Sequence, residues 1–454
     1  MKLHSIQLLR GIAALLVVFY HAWGLQLLTI DPENSAPGLL GGIFASGYAG
    51  VDLFFVISGF IMVWVTRQTA PGVAGVGAFL FSRVTRIYPL WWAAAGLATA
   101  YYLFLHVPDA NDPAWRAALQ EGDAAGFLVK SFFLLPQPDL PVLSLGWTLM
   151  HELYFYAVFA CLLLLPRGLL PFALLAWGGA IVGASLLGLS RPGAVNLMTL
   201  AIHPLTMEFI FGAMVGLIVS AGFVARSGLL TLGAALWFTT NLCLQGEVTA
   251  YTYQWGRVLA FGIPGALLVY GIAALEQHGR LVWLVPVTAA VIACAAVYQM
   301  HGLTPVSEAG LRQGAAMWAV GAGVLAAGGV IGLGWLGGRF LPGAMYGLAR
   351  PLEGLFRAGS HIGDWSYSIY LGHIFAIGGL IFAIRWMAET GGWAAPFVPG
   401  APGIGDDLAY IAAVFIGALL AGWTGHRLVE RPALALFRML RRRLFPNSRR
   451  TRDV

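Results

Sequence analysis

Long apolar segments recur along the whole chain and alternate with short polar stretches. Each is about as long as an α-helix must be to cross a bilayer, roughly 20 residues. Twelve are predicted, near residues 6–28, 43–65, 87–107, 141–165, 168–189, 204–222, 228–244, 257–275, 281–299, 314–336, 362–384 and 408–428. A further apolar stretch at 126–136 is too short to span and predicts a re-entrant or interfacial piece. The pattern predicts an all-α fold, a polytopic transmembrane helix bundle of about 10–12 spans.

Composition supports a membrane location. Of the 454 residues, 59% are hydrophobic and 10% are charged, whereas about 25% are charged in an average soluble domain. The first apolar segment has no small-residue cleavage site over 23–30, so we expect a retained span and not a signal peptide. The cysteines, Cys161, Cys243 and Cys294, lack metal-ligand spacing, and no metal site is expected.

Basic residues predict the orientation of the spans. Because an even number of spans returns the chain to the side where it began, both termini are expected on one side. Six of the 26 Lys and Arg then fall on the opposite side, namely Arg116, Lys130, Arg191, Arg257, Arg312 and Arg385. This bias predicts that both termini are cytoplasmic. The arginine-rich tail at 431–454 is expected to contact anionic lipid headgroups and not nucleic acid.

Few ionisable residues lie inside the predicted spans, and each is costly there unless it faces a cavity or a partner. They are His21, Asp52, Glu152, Glu208, Asp364 and His373. All but Glu208 and Asp364 are expected near the middle of the bilayer, judged from the rise per residue of a helix. Glu208 is expected to make an interhelical polar contact. His203 and His301 fall near loops, where solvent exposure is expected.

Basic side chains precede two of the spans. Arg10 and His21 are eleven residues apart and so share one helix face, about 16 Å apart along the axis. This placement suggests a reaction within the membrane that uses an anionic reagent from the cytoplasm. Arg83 and Arg86 also share a face and suit a phosphate group. An ordinary positive-inside anchor explains the pair taken alone, and the phosphate interpretation depends on Arg10 lying on the same side.

Local spacing also suggests polar contacts around the two carboxylates. Tyr156 follows Glu152 by one helical turn, so its hydroxyl is placed to orient the carboxylate. Trp147 is either a substrate contact or a residue of the interfacial aromatic belt. Asp52 lies among glycines and Ser58, which permit close helix packing, so it is either functional or held by a neighbouring helix.

Together these segments resemble the acyltransferase 3 family of bacterial membrane acyltransferases, many of which O-acylate polysaccharides, lipids and small acceptors. The resemblance runs in order through Arg10 to His21, Gly50 to Gly59, Arg83 to Pro89, Trp147 to Tyr156, Ser366 to His373 and Val429 to Pro432. The Arg-x10-His and Arg-x-x-Arg pairs are the family's functional motifs. The twelve predicted spans exceed the ten usual for the family core, and residues 168–300 carry no family motif.

The resemblance implies a membrane acyltransferase domain at 1–430 followed by a basic cytoplasmic tail at 431–454. It implies transfer of an acyl group, expected to be acetyl, from cytoplasmic acyl-CoA to a hydroxyl of an extracytoplasmic sugar, glycan or lipid-linked glycan. The bacterial inner membrane is the expected location. Acyl-CoA is the expected donor co-substrate, with no permanently bound cofactor.

The resemblance also suggests roles for particular residues. The expected catalytic residues are His21, Asp52 and Glu152, the donor-binding residues are Arg10, Arg83 and Arg86, and the acceptor-binding residues are Trp147, Tyr156 and His373. Neutral His21 suits a general base, and Asp52 or Glu152 is expected to orient its ring. Direct transfer and an acyl-histidine intermediate both remain open.

Two other functional classes fit part of the pattern. A proton-coupled secondary transporter also uses histidines and carboxylates inside the membrane. The halves of this chain show no repeat, however, which is unlike many transporters. A non-catalytic scaffold does not explain four titratable groups at one membrane depth.

Overall fold

The fold is made of helices joined by short connections. The computed structural model describes residues 3–29, 42–69, 71–104, 124–191, 193–244, 254–302, 309–340, 354, 358–390 and 404–445. The main helices are α1 (His4–Thr29), α2 (Ala49–Thr66), α3 (Val73–Phe104), α4 (Ala124–Phe133), α5 (Gly146–Leu162), α6 (Leu170–Leu186), α7 (Leu197–Ala201), α8 (Thr206–Ser220), α9 (Ser227–Leu244), α10 (Gln254–Gln277), α11 (Leu284–Gly302), α12 (Ala309–Phe340), α13 (Ser366–Glu389), α14 (Ile404–Gly425) and α15 (Arg431–Leu444). The predicted all-α class is confirmed.

Ten helices in the described ranges are long and apolar enough to cross a membrane. They coincide with ten of the twelve predicted spans, and the chain is a multi-pass membrane protein. The other two predicted spans, 87–107 and 141–165, overlap α3 and α5. With 17 residues α5 is short for a span, and α3 carries two arginines in its first half. The cytoplasmic position of the termini stays a prediction.

The centre of the bundle is the contact between α2 and α8, which glycines bring very close together. A Cβ atom on Gly59 would overlap the carbonyl oxygen of Phe209, and one on Gly212 would overlap the carbonyl oxygen of Val56. Only glycine permits backbones to approach so closely, as in membrane helix pairs generally. The face of α2 that carries Gly59 is therefore fixed against α8.

Glycines of the second predicted span also bring α1 against α2. A Cβ on Gly50 would overlap the carbonyl oxygen of Ala13, and one on Gly47 would overlap that of Leu16. On another side α1 packs against α13, because Ala14 and Val18 share an apolar cluster with Ile369. As a result α1 lies between α2 and α13.

The long helix α3 contains Pro89. Two residues after this proline, α3 is hydrogen-bonded to the short helix α4. Trp91 is completely buried, and its indole Nε1 donates to the carbonyl oxygens of Ser131, at 3.2 Å, and Phe132, at 3.1 Å. Because α4 has only ten residues, it cannot span a bilayer. It corresponds to the short apolar piece predicted at 126–136.

The first part of the basic tail forms α15, which packs beside α3. Arg441 donates from Nη1 to the hydroxyl oxygen of Ser82 at 3.0 Å. The ring of Phe81 lies 6.1 Å from that of Phe437 and 6.0 Å from that of Phe445, measured between centroids. The last residues of the tail lie outside the described ranges.

Candidate active site

A cavity that is partly open to its surroundings lies between α1, α2, α3, α5 and α13. Most of its apolar wall comes from α2. Its polar lining residues are Arg10, Ser58, Arg83, Arg86, Thr148, Glu152, Tyr156, Tyr367 and Tyr370. A space with both an apolar wall and several polar groups is typical of a ligand site.

Three arginines from two helices meet in this cavity. Arg10 comes from α1, while Arg83 and Arg86 come from one face of α3. Arg10 donates from Nη1 to the side-chain oxygen of Gln7 at 3.0 Å. The Nε of Arg83 is buried, and none of the described residues accepts a hydrogen bond from it. Because a buried donor without a partner is costly, this nitrogen suits an anionic ligand.

Glu152 faces the arginines from α5 and is held by two hydroxyl groups. Ser58 donates from Oγ to Glu152 Oε1 at 2.8 Å, and the phenol of Tyr156 donates to the same oxygen. The contact expected from the one-turn spacing of Glu152 and Tyr156 is therefore present. Oriented in this way, Glu152 places a negative charge within an otherwise cationic cavity.

The opposite end of the cavity is formed by polar groups of α5 and α13. The hydroxyl oxygens of Thr148 and Tyr370 are 2.8 Å apart, and the Tyr370 ring lies 6.0 Å from that of Phe54. His373 follows Tyr370 by about one helical turn, and their ring centroids are 6.2 Å apart. The end of the cavity remote from the arginines therefore adjoins His373.

His373 is completely buried and contacts His21 directly. Their ring centroids are 5.1 Å apart, and His373 Nε2 lies 3.2 Å from His21 Nδ1. Each ring also contacts a carbonyl oxygen of its own helix through Nδ1, that of Val17 for His21 and that of Ile369 for His373. The sequence placed both histidines at one depth, and the structure makes them neighbours.

Asp52 lies away from this histidine pair. Its carboxylate is completely buried and is bound by Arg257 of α10, at 3.1 Å from Nε and 2.8 Å from Nη2. Within the described part of the chain, neither Asp52 nor Glu152 hydrogen-bonds to His21, so the expectation that a carboxylate orients its ring is wrong. The guanidinium of Arg257 also lies 5.9 Å from the Trp147 ring centroid, which places Trp147 beside this ion pair.

A second pair of histidines lies close to Trp147. The rings of His151 and His203 are 4.4 Å apart, and His203 Nδ1 accepts from the backbone N–H of Leu205 at 3.3 Å. Because both rings are almost completely buried, the prediction that His203 is solvated is wrong. The side chain of His301 lies outside the described residues.

Glu208 joins α8 to α10. Its carboxyl group is completely buried, and a Cβ on Gly262 would come within 2.9 Å of Glu208 Cγ. Among the described residues neither carboxyl oxygen of Glu208 has a hydrogen-bond partner, so the predicted interhelical polar contact of Glu208 is not confirmed, and its neighbour on α10 is a glycine.

The structure sorts the predicted site residues into three groups. The cavity contains Arg10, Arg83, Arg86, Glu152 and Tyr156, the histidine pair contains His21 and His373, and the neighbourhood of Arg257 contains Asp52 and Trp147. Sequence reasoning assigned Arg257 to an outer loop and overlooked it as a partner of Asp52. The signal was available, because a charged residue next to an apolar span requires a counter-charge.

A family model and several known proteins match parts of this chain. The family model described as an acyltransferase domain matches residues 3–303. The exopolysaccharide production protein ExoZ of Rhizobium meliloti (strain 1021) is 33% identical over 243 residues, which cover 52% of this chain and 69% of that protein. Protein 2 in the picA locus of Rhizobium radiobacter is 34% identical over 163 residues, which cover 34% of this chain and 78% of that protein. No solved structure matches the chain.

The matched region includes the three arginines of the cavity and one member of the histidine pair. It covers more than half of the chain and contains both arginine motifs, with His21 and Glu152. Through this match the chain belongs to the acyltransferase 3 family.

Proposed function

We propose that this acyltransferase moves an acyl group, acetyl in the simplest case, from cytoplasmic acyl-CoA to a hydroxyl of an extracytoplasmic sugar, glycan or lipid-linked glycan. The observation that carries the proposal is one cavity lined by three arginines and by Tyr370, whose ring centroid lies 6.2 Å from that of His373 in the histidine pair. Bacterial inner membrane is the location that we infer for it.

The arginines suit the donor because CoA carries several phosphate groups. Forked guanidinium groups bind phosphate oxygens through paired, charge-assisted hydrogen bonds. Arg10 and His21 are separated by about 16 Å along α1. An elongated donor held by its phosphates at Arg10, Arg83 and Arg86 can therefore extend its thioester towards His21 along the apolar wall of α2.

His21 is the base in this proposal. The acceptor hydroxyl gives its proton to the ring while its oxygen attacks the thioester carbon. The new ester C–O bond forms as the C–S bond breaks, and the proton passes from His21 to the sulfur of CoA. Whether the acyl group resides on His21 in between remains open.

The names of the relatives bear on the acceptor. ExoZ is named for exopolysaccharide production, and a polysaccharide or its lipid-linked precursor offers many hydroxyl groups. We therefore propose a glycan acceptor, to be identified by mass spectrometry of surface glycans with and without the gene.

A thiol-release assay tests the activity directly. Purified protein in lipid, given acyl-CoA and a glycan acceptor, should release free CoA. His21→Ala should lower the rate by at least about 100-fold, since a general base contributes roughly 10²- to 10⁴-fold. The control is His361→Ala, which removes a histidine whose side chain is 72% exposed and should leave the rate unchanged. Retention of one tenth of the wild-type rate in His21→Ala, or proton-coupled solute uptake without thiol release, contradicts the proposal.

A further inference from the structure

The contact between His21 and His373 determines which nitrogen of His21 carries its proton. We propose that His373 is a positioning residue that holds neutral His21 with its proton on Nδ1, which leaves Nε2 as the base. The catalytic meaning of this inference rests on the proposed function. The protonated position of His21 is a separate property and can be measured without any assay of activity.

The first step concerns His373. Its Nδ1 lies 3.1 Å from the carbonyl oxygen of Ile369, one turn earlier on α13. A carbonyl oxygen only accepts hydrogen bonds, so this nitrogen carries the proton. A neutral imidazole has a single N–H, and Nε2 of His373 is therefore an acceptor.

The second step concerns His21. Its Nδ1 faces two acceptors, the carbonyl oxygen of Val17 at 2.9 Å and His373 Nε2 at 3.2 Å. A proton on Nδ1 of His21 satisfies both. With the proton on Nε2, the lone pair of Nδ1 would face two other lone pairs in a buried site, which is unfavourable. The contacts of the two rings therefore agree on one arrangement, in which His21 Nε2 is unprotonated.

The third step concerns the reaction. When Nε2 of His21 takes a proton from the acceptor, Nδ1–H continues to donate to Val17 and His373. The lone pair of His373 thus stabilises the imidazolium in the place that a carboxylate takes in many histidine-based sites. Among the described residues, no carboxylate hydrogen-bonds to either ring, so this task falls to His373.

The position of His373 is fixed by helix packing. His373 is completely buried, and one turn before it Ile369 packs with Ala14 and Val18 of α1 in an apolar cluster. Because His373 is completely buried, its ring is held in one position against His21. The orientation of His21 is therefore set by the α1–α13 contact.

Nuclear magnetic resonance of ring-¹⁵N-labelled histidine in the lipid-reconstituted protein tests the inference without a donor or acceptor. The signals of His21 are identified by their loss in His21→Gln. We expect Nδ1 to show the protonated type of signal and Nε2 the unprotonated type at a pH where the ring is neutral. A wild-type spectrum with His21 protonated on Nε2 overturns the proposal, even if every variant at residue 373 fails to fold.

Two variants at residue 373 distinguish the loss of a hydrogen-bond acceptor for His21 from the loss of ring packing. His373→Phe keeps a ring of similar size without an acceptor, whereas His373→Gln places a side-chain oxygen near the former Nε2. We expect His373→Phe to lower kcat by about tenfold to 100-fold, with the KM for acyl-CoA changed by less than about twofold. In its ¹⁵N spectrum, part of His21 should move its proton to Nε2. His373→Gln should recover most of the rate and the wild-type protonation pattern.

Failure of the positioning role of His373 can be distinguished from failure of the proposed acyltransferase function. Wild-type kcat in His373→Phe overturns the positioning role, as does a larger loss in His373→Gln than in His373→Phe. If the wild-type protein transfers no acyl group at all, the proposed function fails, and the ring spectra of wild type and His373→Phe still decide whether His373 controls the protonation of His21.

Discussion

At the scale of single residues, the cavity carries more positive than negative charge. Three arginines line it, and Glu152 is the carboxylate among its lining residues. Ser58 and Tyr156 already donate to Glu152 Oε1, which leaves less of its charge available to the arginines. The remaining positive charge favours a polyanionic ligand because the surrounding apolar wall weakens screening by solvent.

Arg83→Gln and Arg86→Gln should each raise the KM for acyl-CoA by about tenfold to 100-fold, since each removes charge-assisted hydrogen bonds. The increase should be much smaller for an acyl-pantetheine donor that lacks the CoA phosphates. Arg280→Gln is the matched control, because Arg280 is exposed in the turn after α10. If all three variants keep the wild-type KM, Arg83 and Arg86 serve only as topology anchors.

The ion pair between Asp52 and Arg257 permits a second test at this scale. Arg257→Gln should destabilise the protein by about 3–5 kcal/mol, because it leaves the completely buried Asp52 carboxylate without its partner. The measurement is thermal unfolding in detergent. Combining Arg257→Gln with Asp52→Asn should restore part of the loss. Additive losses in the double variant would show that the two side chains do not depend on each other.

At the scale of elements, close packing of α2 against α8 fixes one wall of the cavity. The face of α2 that carries Gly59 packs against α8. Other residues of α2, including Phe54 and Ser58, line the cavity. Neither helix can shift sideways without opening the contacts of Gly59 and Gly212. The cavity side of α2 is thus positioned by the adjoining face of the same helix, which packs against α8.

A pair of glycine variants tests this dependence. Gly212→Ala places a methyl group against the carbonyl oxygen of Val56, so the helices must separate. It should lower the unfolding temperature markedly and reduce acyl transfer. Gly179→Ala on α6 is the control, since a Cβ there meets no atom within 4 Å, and alanine is the better helix former. Equal stability of the two variants would contradict tight α2–α8 packing.

Prediction from the sequence succeeded for relations along one helix and failed for relations between helices. The spacing of Glu152 and Tyr156 predicted their contact, because residues four apart on a helix are neighbours. Depth in the membrane also follows from sequence position, but depth is one coordinate and does not tell which helices are adjacent. Asp52 was therefore expected either near His21 or held by a neighbouring helix, and the structure shows the second arrangement, with Arg257, 205 positions further along the chain, as its partner.

At the scale of the whole molecule, the cavity and the histidine pair lie at successive levels along α1. Arg10 is near the start of α1, and His21 lies about three turns further along. If the amino terminus is cytoplasmic, as the distribution of basic residues predicts, the arginines face the cytoplasm and His21 lies deeper in the membrane. Donor and acceptor would then reach the site from opposite sides.

Proteoliposomes of known orientation test this arrangement. Acyl-CoA supplied on the side of the amino terminus should support transfer to a glycan acceptor on the other side, because the arginines that bind its phosphates open to that side. The reversed arrangement should give no transfer. A protease-accessible tag at the amino terminus reports the orientation of each preparation. Equal activity with donor on either side would contradict a route through the membrane.

Pro89 divides α3 into two mechanically different halves. Proline has no N–H for the carbonyl of Thr85, so α3 bends more easily there than elsewhere. Beyond Pro89, Trp91 is clamped to α4, whereas Arg83 and Arg86 lie on the half before it. The half before Pro89 is itself held by α15, which packs against it. If α3 bends at this hinge, both arginines and α15 therefore move together relative to the half clamped to α4, so uptake of a phosphate-bearing ligand would be coupled to the position of the basic tail helix.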